Sequence, residues 1–268
     1  MSDAAEQVLS GLTPAPRFCR GCGDTLGADA RCGCVAKASA RAVDSPSPPR
    51  PGPTFRYALK MYFAMLALSA VAMAYVVAMG ENDPVGARFD IGLSLAFVAV
   101  VVLWAAAHWR TLLPLLRPGG AIGWYAVAAA APALTFLIAS ASIALLQQLL
   151  AAPAIDMALL FRAEGFAFSW LLLTACVVPA VFEEIAFRGV IFAGLRDHLT
   201  VAETVVVSSA IFAILHLSVL SIPHLLGIGL LLALLRVKTD SLLPGMLCHF
   251  LHNLLVCVTD WNEWRWPW

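Results

Sequence analysis

With 268 residues, 61% of them hydrophobic, only 13% charged and no net charge, this chain lies far from soluble domains, which are about 25% charged. That balance excludes a soluble enzyme and gives nucleic acid no electrostatic hold. It predicts an all-α polytopic membrane protein, since only helices or closed barrels satisfy their backbone in lipid.

The first residues, Met1 to Gly11, are polar and lack an apolar core, so no signal peptide is expected. Residues 1–34 hold Cys19-x2-Cys22 and Cys32-x-Cys34, with Gly21, Gly23 and Gly33 beside the thiols. Four thiolates suit a closed tetrahedral structural zinc site, and so small a unit has too little core to fold otherwise. A disulfide framework, or thiols without a structural job, are the alternatives; a cytosolic location disfavours the first. The pattern resembles a short zinc ribbon whose second pair is Cys-x-Cys instead of Cys-x2-Cys. Such a unit recruits or regulates through a protein partner, because four thiolates leave no open coordination position. Only Arg17, Arg20 and Arg31 lie near it, too few to favour nucleic acid. Residues 35–54, rich in Pro, Ser and Ala, read as a flexible linker.

From 55 to 268 the chain is a transmembrane domain. Apolar runs cover 57–79, 89–107, 121–147, 167–195, 201–222, 224–236 and 241–258. Most reach the ~20 residues that cross a bilayer. A shorter piece at 153–162 is interfacial or a partial eighth span, giving seven or eight helices and no sheet. Arg50, Arg56, Lys60, Arg110, Arg117, Arg196, Arg236 and Lys238 fall in loops on one side if seven spans alternate, which places the N-terminus in the cytoplasm. In a bacterium the host bilayer would be the cell membrane. Trp261, Trp264, Trp266 and Trp268 then anchor the opposite interface. Cys176, Cys248 and Cys257 read as small buried hydrophobes with no redox pair among them.

Three apolar segments carry groups that lipid penalises: Glu183, Glu184 and Arg188; then His216; then His249 and Asn253. Ionisable residues at such depth mark functional sites by default. Glu184 and Arg188 are four apart and can pair on one helical face. Glu183 is turned away by about 100° and is left for a water or a metal. His249 and Asn253 share a face, and Pro179 bends the helix ahead of the carboxylates. Counted from the cytoplasmic ends at 1.5 Å per residue, Glu183, His249, Asn253 and His216 lie about 18, 14, 20 and 22 Å deep. That is one layer near mid-membrane. Structural pairing, a proton path or a transported ion explain such groups as readily as hydrolysis does. His252 and His224 are assigned no catalytic part.

Taken in order, Glu183-Glu184-x-x-x-Arg188, Phe212-x-x-x-His216 and His249-x-x-x-Asn253 resemble the CPBP family of intramembrane proteases, which includes CAAX prenyl endopeptidases and bacterial Abi proteins. The resemblance covers about residues 165–258, and no motif position departs from it. It implies an intramembrane metalloprotease that cuts a membrane-associated protein or peptide. Glu183 and His216 would activate water, while His249 and Asn253 would stabilise the oxyanion or help hold a divalent metal such as zinc. Glu183, His216, His249 and Asn253 would be the metal's ligands, with Glu184 and Arg188 maintaining the geometry. The competing expectation is a non-catalytic membrane scaffold or immunity factor of the same fold. A transporter would show inverted repeats, and none is visible.

Overall fold

The computed structural model describes residues 52–79, 86–151 and 157–263. The four N-terminal cysteines, the linker up to Pro51 and Trp264, Trp266 and Trp268 lie outside the described residues. Helices α1 (Phe55–Met79), α2 (Ala87–Ala107) and α3 (Ile122–Leu150) come first. Then follow a short α4 (Met157–Ala163) and the composite α5 (Phe168–Leu195). The remaining helices are α6 (Val201–Leu215), α7 (Ile222–Thr239) and α8 (Leu243–Trp261). Among the described residues there is no strand, and the fold is all-α.

Five helices, α1, α2, α3, α5 and α7, are long and apolar enough to cross a membrane by length and composition. The sequence expectation was seven or eight. Two of the expected spans fall short for identifiable reasons. The apolar run 201–222 breaks at Leu215, leaving α6 with 15 residues, about 22 Å. In α8, 19 residues long, the polar His249, His252 and Asn253 dilute the apolar ones. The piece at 153–162 becomes the seven-residue α4, about 10 Å long and no span.

Local signals explain several boundaries. A capping box opens α6: the Thr200 hydroxyl accepts from the Glu203 amide, and the Glu203 carboxylate accepts from the Thr200 amide, satisfying two orphan donors. Pro223 and Pro244 sit in the first turns of α7 and α8, where a missing N–H costs nothing. Asp240 takes a left-handed conformation (φ 50°) at the end of α7 and turns the chain back into α8.

The distribution of polarity is inverted relative to a soluble domain. Val77, Leu103 and Leu149 are 69–72% exposed, as lipid-facing side chains should be. Glu184, Arg188, His249, Ser208 and Ser209 are buried instead. The central part of α5, Pro179–Ile191, packs against α1, α2, α6, α7 and α8. The segment richest in charge is thereby the most enclosed.

Candidate active site

Much of α5 is wound as a π-helix, over Leu173–Val177 and again over Pro179–Ile191. Such wide turns, closed by i→i+5 bonds, mostly occur as single bulges at functional sites; here one extends over 13 residues. Pro179 stands at its start. With no N–H, it leaves the preceding turn one main-chain donor short. In that turn the Ala175 carbonyl accepts a hydrogen bond from Asn253 Nδ2 at 2.8 Å, which ties α8 to α5.

The two carboxylates occupy different surroundings. Glu184 is fully buried, its Oε1 lying 3.1 Å from Arg188 Nη1 and 3.3 Å from His249 Nδ1. Its Oε2 has no hydrogen-bond partner and points at Gly245. Glu183 keeps 15% of its side chain exposed, and its Oε2 lies 3.9 Å from His249 Nε2. That gap is beyond a direct hydrogen bond and of the size a water bridges. His249 therefore stands between the two carboxylates, held by one and facing the other.

Arg188 is enclosed by groups that suit a guanidinium. Besides Glu184, its Nη2 donates to the Gly229 carbonyl at 3.1 Å, and its head lies 4.6 Å from the centre of the Phe212 ring. Gly229 lets α7 lie close on α6: a Cβ there would fall 3.1 Å from Ser209 Cβ. Phe212 also meets His216 and His249 edge-on at 5.1 and 6.0 Å between centroids. One aromatic ring thus braces the arginine and both imidazoles.

His216 sits at the C-terminal cap of α6, and Leu217 follows in the left-handed region (φ 51°). For a residue with a side chain that conformation costs on the order of 1–3 kcal/mol. The helix stops there, leaving the imidazole exposed to open space. His216 Nδ1 lies 2.9 Å from the Phe212 carbonyl. A carbonyl can only accept, so Nδ1 carries the proton and the neutral ring presents Nε2 as a base.

Two cavities meet at His216. The first, about 370 Å³, is an apolar groove between α1, α2 and α5; Leu68, Met73, Leu93 and Phe97 line it, with Glu183 and His216 in its wall. The second, about 580 Å³, is more polar and is lined by His216, His249, His252 and Asn253 among others. All six expected site residues, Glu183, Glu184, Arg188, His216, His249 and Asn253, border one cavity or the other or buttress a group that does.

The metal expectation meets a different arrangement. Among the described residues no three His, Cys, Asp or Glu side chains form a metal-holding group. Asn253 turns its amide to Ala175. His249 and His216 engage Nδ1 with Glu184 and Phe212 and leave Nε2 open, the orientation a metal-ligating imidazole takes, but the four expected ligands are not gathered around one point.

Sequence reasoning missed several participants. Phe212 entered only as a motif position, and the Gly229 carbonyl, the Ala175 carbonyl and Gly245 not at all. Cys176 and Cys257, read as inert, place their Sγ atoms 3.4 Å apart. His252 Nδ1 donates to Thr135 Oγ1 at 2.9 Å, because that hydroxyl already donates to the Pro132 carbonyl; this ties α8 to α3.

No curated protein and no solved structure matches the chain. A family model does, over residues 165–255, and its description is type II CAAX prenyl endopeptidase Rce1-like. That stretch contains Glu183, Glu184, Arg188, His216, His249 and Asn253, and over it the chain is similar to the Rce1-like family.

Proposed function

We propose that this protein is an intramembrane endopeptidase that hydrolyses a peptide bond in a membrane-associated protein or peptide. The observation that carries the reading is the shared placement of Glu183 and His216 in the wall of one apolar groove. A carboxylate and an imidazole with a free Nε2 can take a proton from water between them. The groove supplies an apolar surface for the membrane-embedded part of a substrate.

In this reaction the water oxygen adds to the peptide carbonyl as its proton passes to the Glu183–His216 pair. Charge then develops on the former carbonyl oxygen. His249, with a proton on Nε2 as well as on Nδ1, and the second amide N–H of Asn253 are the donors assigned to receive it, and such donors contribute about 10²–10³-fold each when preorganised. Collapse of the adduct breaks the C–N bond, and the proton held by the pair passes to the leaving amine. Glu184 and Arg188 do not touch substrate; they orient His249 and keep the interior neutral.

The test compares protein termini in membranes of cells carrying the chain or its Glu183→Gln form at equal expression. New termini present only with the first support hydrolysis and supply the substrates. Identical termini under several growth conditions would transfer the site to the scaffold reading.

A further inference from the structure

Hydrolysis consumes a water for every bond cut, at a depth where lipid offers none, and the apolar groove is unsuited to supply it. The larger cavity is built differently. Along α3, Phe136, Ala139, Ser140, Ile143, Ala144 and Gln147 face it, a single stripe at i, i+3, i+4 spacing. Along α8 the stripe is His249, His252, Asn253, Val256, Thr259 and Asp260. Each advances eleven residues, from 136 to 147 and from 249 to 260, about 16 Å of helix. That is roughly half the ~30 Å hydrocarbon core.

The Thr135–His252 hydrogen bond sets the register of the two helices. From that contact both stripes run toward higher residue numbers, so α3 and α8 are parallel and end on the same side. The N-terminal part of α7 adds Ser221 and His224, whose Nδ1 is buried without a hydrogen-bond partner. The opposite face of α3 is mostly apolar: Leu134, Ile138, Leu145 and Leu149 are 53–69% exposed, with the exposed Gln148 among them. Polar side chains inside a membrane helix normally face partners or a wet cavity. Ser140 and Gln147 share such a face, and the 580 Å³ beside them holds roughly twenty waters at about 30 Å³ each.

We infer that this trough is the water-entry route of the protease, an aqueous half-channel leading from the membrane face where α3 and α8 end to His216 and His249, separate from the groove that receives substrate. The inference rests on the hydrolytic function proposed above. Substrate and water then approach the same imidazole from opposite sides.

The test uses the full chain in sealed right-side-out and inside-out membrane vesicles. Ser140→Cys, Ala144→Cys and Gln147→Cys are treated with the impermeant cation 2-trimethylammonioethyl methanethiosulfonate, which modifies thiols in contact with water. Leu134→Cys and Leu145→Cys are the lipid-facing controls. Labelling is read on the α3 peptide, which has no native cysteine. The trough positions should react at least ~10-fold faster than the controls, and from one side of the membrane only. Equal reactivity of the two sets overturns the proposal whatever the chain's activity. In parallel, Ala144→Trp should slow Glu183-dependent cleavage at least ~10-fold with the melting point retained, and Leu145→Trp should not. Undiminished cleavage by Ala144→Trp also overturns the route. Trough labelling in a chain with no Glu183-dependent cleavage would sink the hydrolysis, and with it the trough's role as a water supply, while leaving the cavity wet.

Discussion

Gly245→Ala is the sharpest single test of how the buried charges are held. A Cβ built on Gly245 lies 2.6 Å from Glu184 Oε2 and 3.5 Å from its Cδ. The first distance falls short of ordinary contact by roughly 0.8 Å. Glu184 has little freedom to yield, because its other oxygen is engaged by Arg188 and His249 and the side chain is fully buried. The strain expected of such overpacking is about 1–3 kcal/mol, a fall of several degrees in melting temperature. The shift in Glu184 is passed to His249, and a displacement near 1 Å at a reacting group costs up to about 10²-fold in rate. Melting in detergent and Glu183-dependent cleavage measure the two effects. Gly227→Ala is the control, since nothing lies within 4 Å of its added Cβ; it should gain about 0.5–1 kcal/mol as a helical Gly→Ala change. A Gly245→Ala protein that melts and cleaves like Gly227→Ala would refute the close packing of α8 on Glu184.

Four further outcomes are expected. Arg188→Met strands Glu184 as an unpaired buried charge at a cost of about 3–5 kcal/mol, and Glu184→Gln/Arg188→Met should recover most of the melting temperature without recovering cleavage. Pro179→Ala restores a main-chain N–H to the turn that Asn253 grips through the Ala175 carbonyl, so cleavage should fall while thermal stability holds; an unchanged rate would detach Asn253's position from the proline. Copper-phenanthroline oxidation should join Cys176 and Cys257 within one chain, seen as a linked peptide by mass spectrometry and absent in Cys257→Ser. The purified full chain should carry about one zinc per molecule by elemental analysis, lost in Cys19→Ser/Cys22→Ser; a zinc-free wild-type chain would end the ribbon reading.

What could be read from the sequence was chemistry at fixed offsets. The Glu184–Arg188 pair follows from residues four apart, and the need for Glu183 to have a separate environment follows from adjacency. The helical geometry assumed for them did not hold: α5 is wound in wide turns, and composition does not register a change in hydrogen-bond step. Hydropathy ran on through 222 because Leu217, Val219 and Leu220 are apolar, although the backbone leaves the helix at His216. Glycines were opaque for another reason. Gly229 and Gly245 matter through what a neighbouring helix brings against them, and no local pattern distinguishes them from Gly227. The thiols of Cys176 and Cys257, 81 positions apart, could meet only through the packing of α8 on α5. Apolar residues describe the lipid-facing shell well and the interior poorly, since the interior is specified by contacts between helices.

The enclosure of Glu183, Glu184 and Arg188 has a consequence for how the chain is made. A lone helix entering the bilayer is charged about 2.5–3.5 kcal/mol for each acidic or basic residue near its centre. Glu184 and Arg188 offset one another within α5, but Glu183 and the burial of that pair weigh on the helix before α7 and α8 are in place. The relief comes late: Gly229 and His249 belong to α7 and α8, which are synthesised afterwards. During synthesis α5 therefore carries charge at its centre into the bilayer, reliant on α1 and α2 already lying beside it and secured only when the last helix arrives. Chains truncated before α8 should be recognised as unfinished and removed by membrane quality control, which makes completion of the active site a checkpoint of biogenesis.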